Sequence, residues 1–176
     1  MPGIDESRPF HPLNIAVLTV SDTRTKEDDS SGDRLQEMMT KAGHKCVARN
    51  IVRDDKQKVR QIVMQHINDE GVDVVITTGG TGLTGRDITV EAVTPLFDKT
   101  IEGFSVLMHM LSYKTVGTST LASRACAGLA KNTLIFCLPG SPGACKDGWK
   151  GIIEPQLDSR HGPCNLVALM ERFLEK

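Results

Sequence analysis

Blocks of apolar residues in the first half of the chain predict three strands separated by two helices. Residues 13–20 (LNIAVLTV) are apolar on both faces, which is typical of a central strand in a parallel sheet. Residues 45–52 are less apolar and predict an edge strand, and residues 72–77 predict a third strand. Between the strands, apolar residues three and four positions apart predict helices over 32–42 and 55–69.

The next part of the chain predicts two helical pieces. A helix over 89–97 should be short or kinked because Pro95 falls inside it. A second helix is predicted over 104–113, and its methionine content suits either core packing or an interface between subunits. The side chains predicted to face inward are Leu107, Met108 and Leu111.

The last third of the chain predicts a β-hairpin followed by helices. Only two turn residues separate the strands predicted over 123–130 and 133–138, so this pair should be antiparallel. Residues 141–142 (Ser-Pro) have the features of a helix start, and this helix should end before Pro155. A final amphipathic helix is predicted over 166–174.

This order of elements predicts an α/β protein: a three-layer α/β/α sandwich with a mostly parallel sheet and an antiparallel strand. A chain of 176 residues fits one compact domain, here residues 13–176. Residues 1–12 are polar and contain three prolines, so they are expected to form a flexible N-terminal arm. Phe10 in this arm could dock on the body of the protein or on a neighbouring subunit.

Composition argues against several function classes. The net charge is -1 and there is no Lys/Arg cluster, so no nucleic-acid partner is expected. No apolar run approaches the ~20 residues that span a membrane, and the first twelve residues do not resemble a signal peptide. The five cysteines lack CxxC spacing, which indicates reduced thiols and a cytoplasmic location, and no His or Cys pattern indicates zinc. Cys126 and Cys137 are predicted to be core residues on strands.

The third strand leads into a glycine-rich loop with four glycines between positions 79 and 85. Glycines let backbone N–H groups approach a bound anion without a Cβ in the way. Two other strand ends, 21–22 (Ser-Asp) and 139–142 (Pro-Gly-Ser-Pro), also lead toward helix starts, which favour anions. Each loop alone could be an ordinary tight turn, but two in one small domain favour a phosphate site. Neither a P-loop nor a dinucleotide fingerprint is present.

Three carboxylates accompany the glycine loop. Asp87 and Glu91 are four residues apart at a helix start, so both should project toward the loop, and Asp54 follows another strand. Mg²⁺ prefers one or two carboxylates together with phosphate oxygens, so these residues could hold a magnesium nucleotide. The alternative is that Asp87 only caps the helix and Glu91 is a solvated surface residue.

Several segments between residues 13 and 165 together resemble the MoaB/MogA family of molybdenum-cofactor biosynthesis proteins. The most specific combination is GGTG, then RD-x-T-x-E-A over 86–92, then LPGS-P-x-A over 138–144. The segments TSTLASRA and DSRHGPCN are most similar to the MoaB branch. In one departure, Val90 stands where the family usually has a proline, which should loosen the helix start slightly.

The resemblance implies a molybdopterin adenylyltransferase that uses Mg²⁺ and ATP to adenylylate molybdopterin and releases pyrophosphate. The alternative is a catalytically silent protein that binds or carries molybdopterin in the same pathway. The resemblance also implies a homo-oligomer, either a trimer or a hexamer, and leaves open contacts with other proteins of the pathway.

The resemblance matches the family's two important aspartates to Asp87, a tentative Mg²⁺ ligand, and to Asp54, with Asp55 as the rival for the second position. Arg124 could bind phosphate or only hold the hairpin. The residues expected to bind substrate or nucleotide are Ser21, Asp22, Gly79, Gly80, Thr81, Gly82, Glu91, Ser123, Arg124, Gly140 and Ser141.

Overall fold

The computed structural model describes residues 3–175, so the first two residues of the predicted arm lie outside the described part. The strands are β1 (Gly3–Ile4), β2 (Asn14–Val20), β3 (Lys45–Val52), β4 (Val74–Thr78), β5 (Lys99–Thr100), β6 (Cys126–Ala130), β7 (Thr133–Leu138) and β8 (His161–Gly162). Six of them form one sheet in the order β3-β2-β4-β7-β6-β5, and β1 pairs separately with β8.

The sheet has the predicted mixture of strand directions. Strands β3, β2, β4 and β7 are parallel neighbours, and β6 runs antiparallel to β7. The hairpin between β6 and β7 turns through Lys131, whose φ of 52° lies in the left-handed region. The strand predicted to be central, β2, is an inner strand, and the strand predicted at the edge, β3, is the edge.

Helices cover both faces of the sheet and confirm the predicted three-layer α/β/α sandwich. One apolar cluster packs Leu35 and Trp149 against strand residues such as Ile15 and Ile76. The other packs Val59 and Val93 against the opposite face. The helices are α1 (Ser30–Lys41), α2 (Lys56–Ile67), α3 (Thr89–Val93), α4 (Glu102–Val116), α5 (Pro142–Gly148), α6 (Glu154–Leu157) and α7 (Val167–Met170). Two 3₁₀ turns, Thr94–Leu96 and Gly117–Ala122, and a π-helical turn, Trp149–Ile153, continue them.

Three predicted details are wrong. The helix that begins at Pro142 does not end before Pro155, because the wide turn Trp149–Ile153 joins α5 to α6 and Pro155 occupies the first turn of α6, where a missing N–H is tolerated. The last helix is only Val167–Met170, followed by turns. On α4, Leu107 faces outward and is 47% exposed, whereas Phe104 and Met108 are buried.

The described part of the N-terminal segment lies against the body of its own chain. The N–H of Asp5 donates to the Arg160 carbonyl at 3.0 Å, and the N–H of His11 donates to Ser159 Oγ at 2.9 Å. The Phe10 ring lies 5.2 Å from the His44 ring, with the Arg160 guanidinium 5.1 Å over its centre. Of the two docking alternatives for Phe10, the structure therefore shows contact with the body.

Candidate functional site

A cleft of about 610 Å³ opens at the carboxyl ends of β2, β4 and β7. Ligands bind at this edge in open α/β sheets. Ten of the residues predicted for the site line the cleft. They are Ser21, Asp54, Gly79, Gly80, Thr81, Gly82, Asp87, Ser123, Gly140 and Ser141.

The glycine loop begins with two residues in the left-handed region, Gly79 at φ 100° and Gly80 at φ 65°. A Cβ on Gly79 would lie 2.2 Å from the Val20 carbonyl oxygen, so only glycine lets the loop pass this close to β2. Thr89 holds the loop from the start of α3, because its hydroxyl donates to the Gly79 carbonyl at 2.8 Å and its N–H donates to the Gly80 carbonyl at 2.9 Å.

Asp87 closes the glycine loop rather than capping a helix. Its carboxylate accepts hydrogen bonds from the Thr84 N–H at 2.9 Å and the Thr84 hydroxyl at 2.6 Å. The hydroxyl is the main reason that the pKa of Asp87 lies below its ordinary value. The residue at the N-cap position of α3 is Ile88, so the alternative that Asp87 caps this helix is wrong.

The two neighbouring aspartates at the end of β3 have different places. Asp54 lines the cleft, and a Cβ on Gly80 would lie 3.1 Å from its Oδ1. Burial, and then the negative charge of Asp22, raise the pKa of Asp54. Asp55 instead caps α2, since its carboxylate accepts from the N–H groups of Gln57 at 3.0 Å and Lys58 at 3.1 Å.

Asp22, predicted to bind substrate, is paired with an arginine instead of lining the cleft. Arg86 donates to Asp22 Oδ2 through Nε at 2.8 Å and to Asp22 Oδ1 through Nη2 at 2.8 Å, a bidentate contact. The Arg86 hydrogen bond is the main reason that the pKa of Asp22 is lowered. Arg86 itself does line the cleft, and the sequence placed it beside Asp87 in the GRD motif without assigning it a binding role.

Glu91 and Arg124 form an ion pair behind the glycine loop and do not belong to the cleft lining. Arg124 also donates through Nε to the Gly82 carbonyl at 2.7 Å and through Nη2 to the Asp87 carbonyl at 3.2 Å. Arg124 therefore braces the loop, and Glu91 orients Arg124 instead of projecting into the site. This ion pair is the main reason that the pKa of Glu91 is lowered.

The second predicted phosphate loop lies directly across from the first. A Cβ on Gly140 would lie 3.2 Å from the Cα of Gly79, so the two loops touch through glycines. Ser141 is the N-cap of α5, and its hydroxyl accepts from the Ala144 N–H at 3.2 Å. Because Pro142 has no N–H and the N–H groups of Ala144 and Cys145 donate to Ser141, Gly143 supplies the free N–H at the start of α5.

Arg24 is a further cleft residue, which belongs to the predicted site segment after β2 but was given no role of its own there. Its Nη2 donates to the Gly140 carbonyl at 3.0 Å, and its Nη1 donates to the Ser31 hydroxyl at 2.7 Å. The same guanidinium lies 3.5 Å from Asp29, a fully buried carboxylate that caps α1. The only sequence signal for Arg24 is its place in the polar stretch that follows β2.

The site thus has two glycine-containing loops, two carboxylates and two guanidinium groups around one cleft. In residues 3–175 no three His, Cys, Asp or Glu side chains gather as metal ligands. The same part of the chain contains no helix long and apolar enough to cross a bilayer.

Comparison with known sequences gives a consistent result. Residues 16–159 match the family model described as a probable molybdopterin binding domain. Molybdenum cofactor biosynthesis protein B of Escherichia coli K12 is 50% identical over 159 residues, which is 90% of this chain and 94% of that protein. The protein of the same name from Bacillus subtilis is 44% identical over 142 residues, covering 80% of this chain and 84% of the relative.

Solved structures show the same architecture. A crystal structure of a molybdenum cofactor biosynthesis protein B aligns with a TM-score of 0.86 at 38% identity, covering 96% of this chain and 100% of the other. The tungsten cofactor synthesizing protein MoaB from Pyrococcus furiosus aligns with a TM-score of 0.74 at 40% identity, over 81% of this chain and 91% of that one. A MogA structure aligns with a TM-score of 0.75 at 27% identity, covering 91% of this chain and 99% of the other.

Proposed function

Because the chain belongs to the MoaB/MogA family of molybdopterin-binding domains and thus to molybdenum cofactor biosynthesis, we propose that it binds molybdopterin and adenylylates it with Mg-ATP. The observation that carries the proposal is the meeting of two anion cradles and two carboxylates, Asp54 and Asp87, in one cleft. Nucleotidyl transfer needs sites for two phosphate-bearing substrates side by side, and two cradles in contact supply them.

The proposed reaction joins the terminal phosphate of molybdopterin to the α-phosphorus of ATP. The pterin phosphate oxygen forms the new bond, the bond between the α- and β-phosphates breaks, and pyrophosphate leaves. The nucleophile is already an anion, so no strong general base is needed. The backbone N–H groups of the glycine loop and the N–H of Gly143 at the start of α5 would hold the phosphates in line, and Arg24 and Arg86 would offset their charge.

The residues present fit a magnesium ion beside the glycine loop. A Cβ on Gly82 would lie 2.8 Å from Asp87 Oδ2, and one on Gly80 would lie 3.1 Å from Asp54 Oδ1. Glycine at these two positions therefore lets the loop backbone pass close to both carboxylates. Because both Thr84 hydrogen bonds go to Asp87 Oδ2, the other oxygen of that carboxylate would be the ligand offered to the ion. Two carboxylates completed by phosphate oxygens are a donor set that Mg²⁺ prefers. Bound there, the ion would neutralise charge on the nucleotide phosphates and on the leaving pyrophosphate.

The deciding experiment is an adenylylation assay with molybdopterin, ATP and Mg²⁺ on the wild-type protein and the Asp87→Asn variant. An asparagine keeps an oxygen that can accept the Thr84 hydrogen bonds but lacks the charge, so the loop should persist while the activity is lost. Wild type should release pyrophosphate and form adenylylated molybdopterin.

Calorimetry with ATP and Mg²⁺ separates the proposal from the alternative of a silent carrier. A carrier would bind molybdopterin without measurable ATP affinity and would never give adenylylated product. That pair of results on folded wild-type protein would overturn the adenylyltransferase proposal and leave only pterin binding.

A further inference from the structure

Two cysteines stand directly opposite each other in the β-hairpin. Cys126 on β6 is the register partner of Cys137 on β7, in an antiparallel pair. Side chains at paired positions of adjacent strands share one face, with Cβ atoms about 4.5–5.5 Å apart and Cα atoms about 4.5–5.5 Å apart. A disulfide needs Cα atoms about 4.4–6.8 Å apart and Cβ atoms about 3.5–4.5 Å apart, so the Cα atoms of these two residues suit a link and their Cβ atoms must approach by about 1 Å.

The two thiols differ in access and in chemistry. Cys126 is half-buried at the start of β6, whereas Cys137 is fully buried. The Cys137 thiol, together with the nearby Arg124 guanidinium, lowers the pKa of Cys126 against the effect of burial. The interaction with Cys126, and then burial, raise the pKa of Cys137. Because Cys126 is partly accessible and Cys137 is fully buried, Cys126 is placed to be the attacking thiol and Cys137 the resolving thiol.

A polar group without a partner lies beside the pair. Thr77 on β4 is the register partner of Cys137, so the three side chains form a row across β4, β7 and β6. The Thr77 side chain is completely buried, and its hydroxyl oxygen makes no ordinary hydrogen bond within the described residues. The row therefore contains a buried hydroxyl group as well as the two thiols.

We infer that Cys126 and Cys137 form a reversible redox modification site, in which a low-molecular-weight disulfide such as oxidised glutathione converts the two thiols into an intramolecular disulfide. This inference does not depend on the proposed adenylyl transfer. The site lies two residues from Arg124, which braces the glycine loop, so the oxidised hairpin would sit at the back of the cleft.

The exchange proceeds in two balanced steps. The Cys126 thiolate attacks one sulfur of oxidised glutathione, the S–S bond breaks, and one glutathione leaves as a thiolate. The Cys137 thiol then gives up its proton and attacks the Cys126 sulfur, which releases the second glutathione. Two protein thiols are oxidised, one glutathione disulfide is reduced to two thiols, and the two thiol protons end on glutathione.

The test equilibrates the reduced, folded, full-length protein in glutathione buffers of increasing oxidised fraction and maps the thiols by mass spectrometry. Trypsin cleaves after Arg124 and Lys131, which separates Cys126 from Cys137, and fragmentation then distinguishes Cys137 from Cys145 in the shared peptide. Exposed Cys164 reports, in the same sample, whether glutathione has reacted.

Wild type should lose two thiols per chain through a Cys126–Cys137 link that dithiothreitol reverses. Cys126→Ser should abolish the link, and Cys137→Ala should instead trap one glutathione on Cys126, because the resolving thiol is gone. Circular dichroism checks that both variants fold. If Cys137→Ala does not fold, Cys126→Ser still tests the inference, because Cys126 is only half-buried. The inference is overturned if both cysteines stay reduced while Cys164 carries glutathione, or if the link forms only in urea.

Discussion

At the scale of single residues, neighbouring aspartates at one strand end take on separate tasks. The chain leaves β3 so that Asp54 faces the cleft while Asp55 receives the first N–H groups of α2. Capping is a local task that sequence alone can suggest for either residue. Only the long-range packing of the glycine loop beside β3 decides which carboxylate can meet a substrate.

We expect Asp54→Asn to reduce adenylylation on the order of a hundredfold and Asp55→Ala to leave it nearly unchanged. Asp55→Ala should instead cost about 1 kcal/mol of stability, because α2 loses its cap. Steady-state assays and urea denaturation on the two variants check this. Equal activity losses would mean that the cleft position of Asp54 does not matter.

The same Asp54→Asn protein has a second expected property. The pKa of Asp54 is raised by burial and by Asp22, so its stabilising contribution is present below the ordinary pKa and lost as pH rises through the raised value. The variant should therefore have the same stability as wild type in acid and be at least as stable as wild type at pH 7. A variant that matches wild type in acid but has the lower denaturation midpoint at pH 7 would contradict this.

At the scale of elements, the glycine loop depends on backbone geometry more than on any side chain. Gly79 has a positive φ and would bring a Cβ against the Val20 carbonyl, whereas Gly85 has open space around it. Gly79→Ala should cost about 2 kcal/mol or more and abolish pterin binding, because both the conformation and the contact exclude a side chain. Gly85→Ala is the matched control and should stay within about 0.5 kcal/mol of wild type. Thermal denaturation and pterin titration of both variants check the pair.

The start of α1 depends on a buried charge. Asp29 is fully buried and accepts from Thr19 Oγ1 at 2.8 Å, Arg49 Nη2 at 2.9 Å and the Gly32 N–H at 3.1 Å. Burial raises the pKa of Asp29, but these hydrogen bonds outweigh it, so the pKa lies below the ordinary value. Its stabilisation is thus present above the ordinary pKa and lost as pH falls through the lowered one.

Asp29→Asn should lower the free energy of unfolding at pH 7 by about 3 kcal/mol, because two arginines lose their buried partner. The variant should also lose less stability than wild type between neutral pH and about pH 3. Asp33→Asn is the control, because exposed Asp33 pairs with the same Arg49. This substitution should lower the free energy of unfolding by less than about 1 kcal/mol. Urea denaturation across this pH range would contradict the account if the two variants behaved alike.

The strand and helix pattern predicted most of these elements, because burial on both faces or on one stripe leaves a local record in the sequence. The pattern was wrong at Pro155, because a wide helical turn leads into α6 and places Pro155 in its first turn, where a missing N–H is tolerated. It also gave no role to Arg24 and Arg86 and did not decide that Arg124 braces the glycine loop, because each arginine bonds to residues far away in sequence. Spacing placed Glu91 near the loop but could not show that Arg124 would engage it.

At the scale of the whole molecule, one layer of the sandwich leaves a large apolar surface uncovered within the chain. Val106, Met110, Tyr113 and Val116 on α4 are 58%, 58%, 61% and 53% exposed, and Leu121 in the following turn is 76% exposed. Contiguous exposed apolar surface of this kind marks an interaction site. We expect a second copy of the chain to cover this surface. The surface carries few charges of its own, and the family resemblance implies a trimer or a hexamer.

Light scattering on the wild-type protein should therefore give three or six times the chain mass. Met110→Glu should shift it to monomer, because a carboxylate in an apolar interface is left without a partner. Met64→Glu is the matched control, since Met64 is 44% exposed on α2, in the opposite layer of the sandwich, and should leave the mass unchanged. A wild-type monomer, or equal effects of the two substitutions, would show that α4 is not the contact surface.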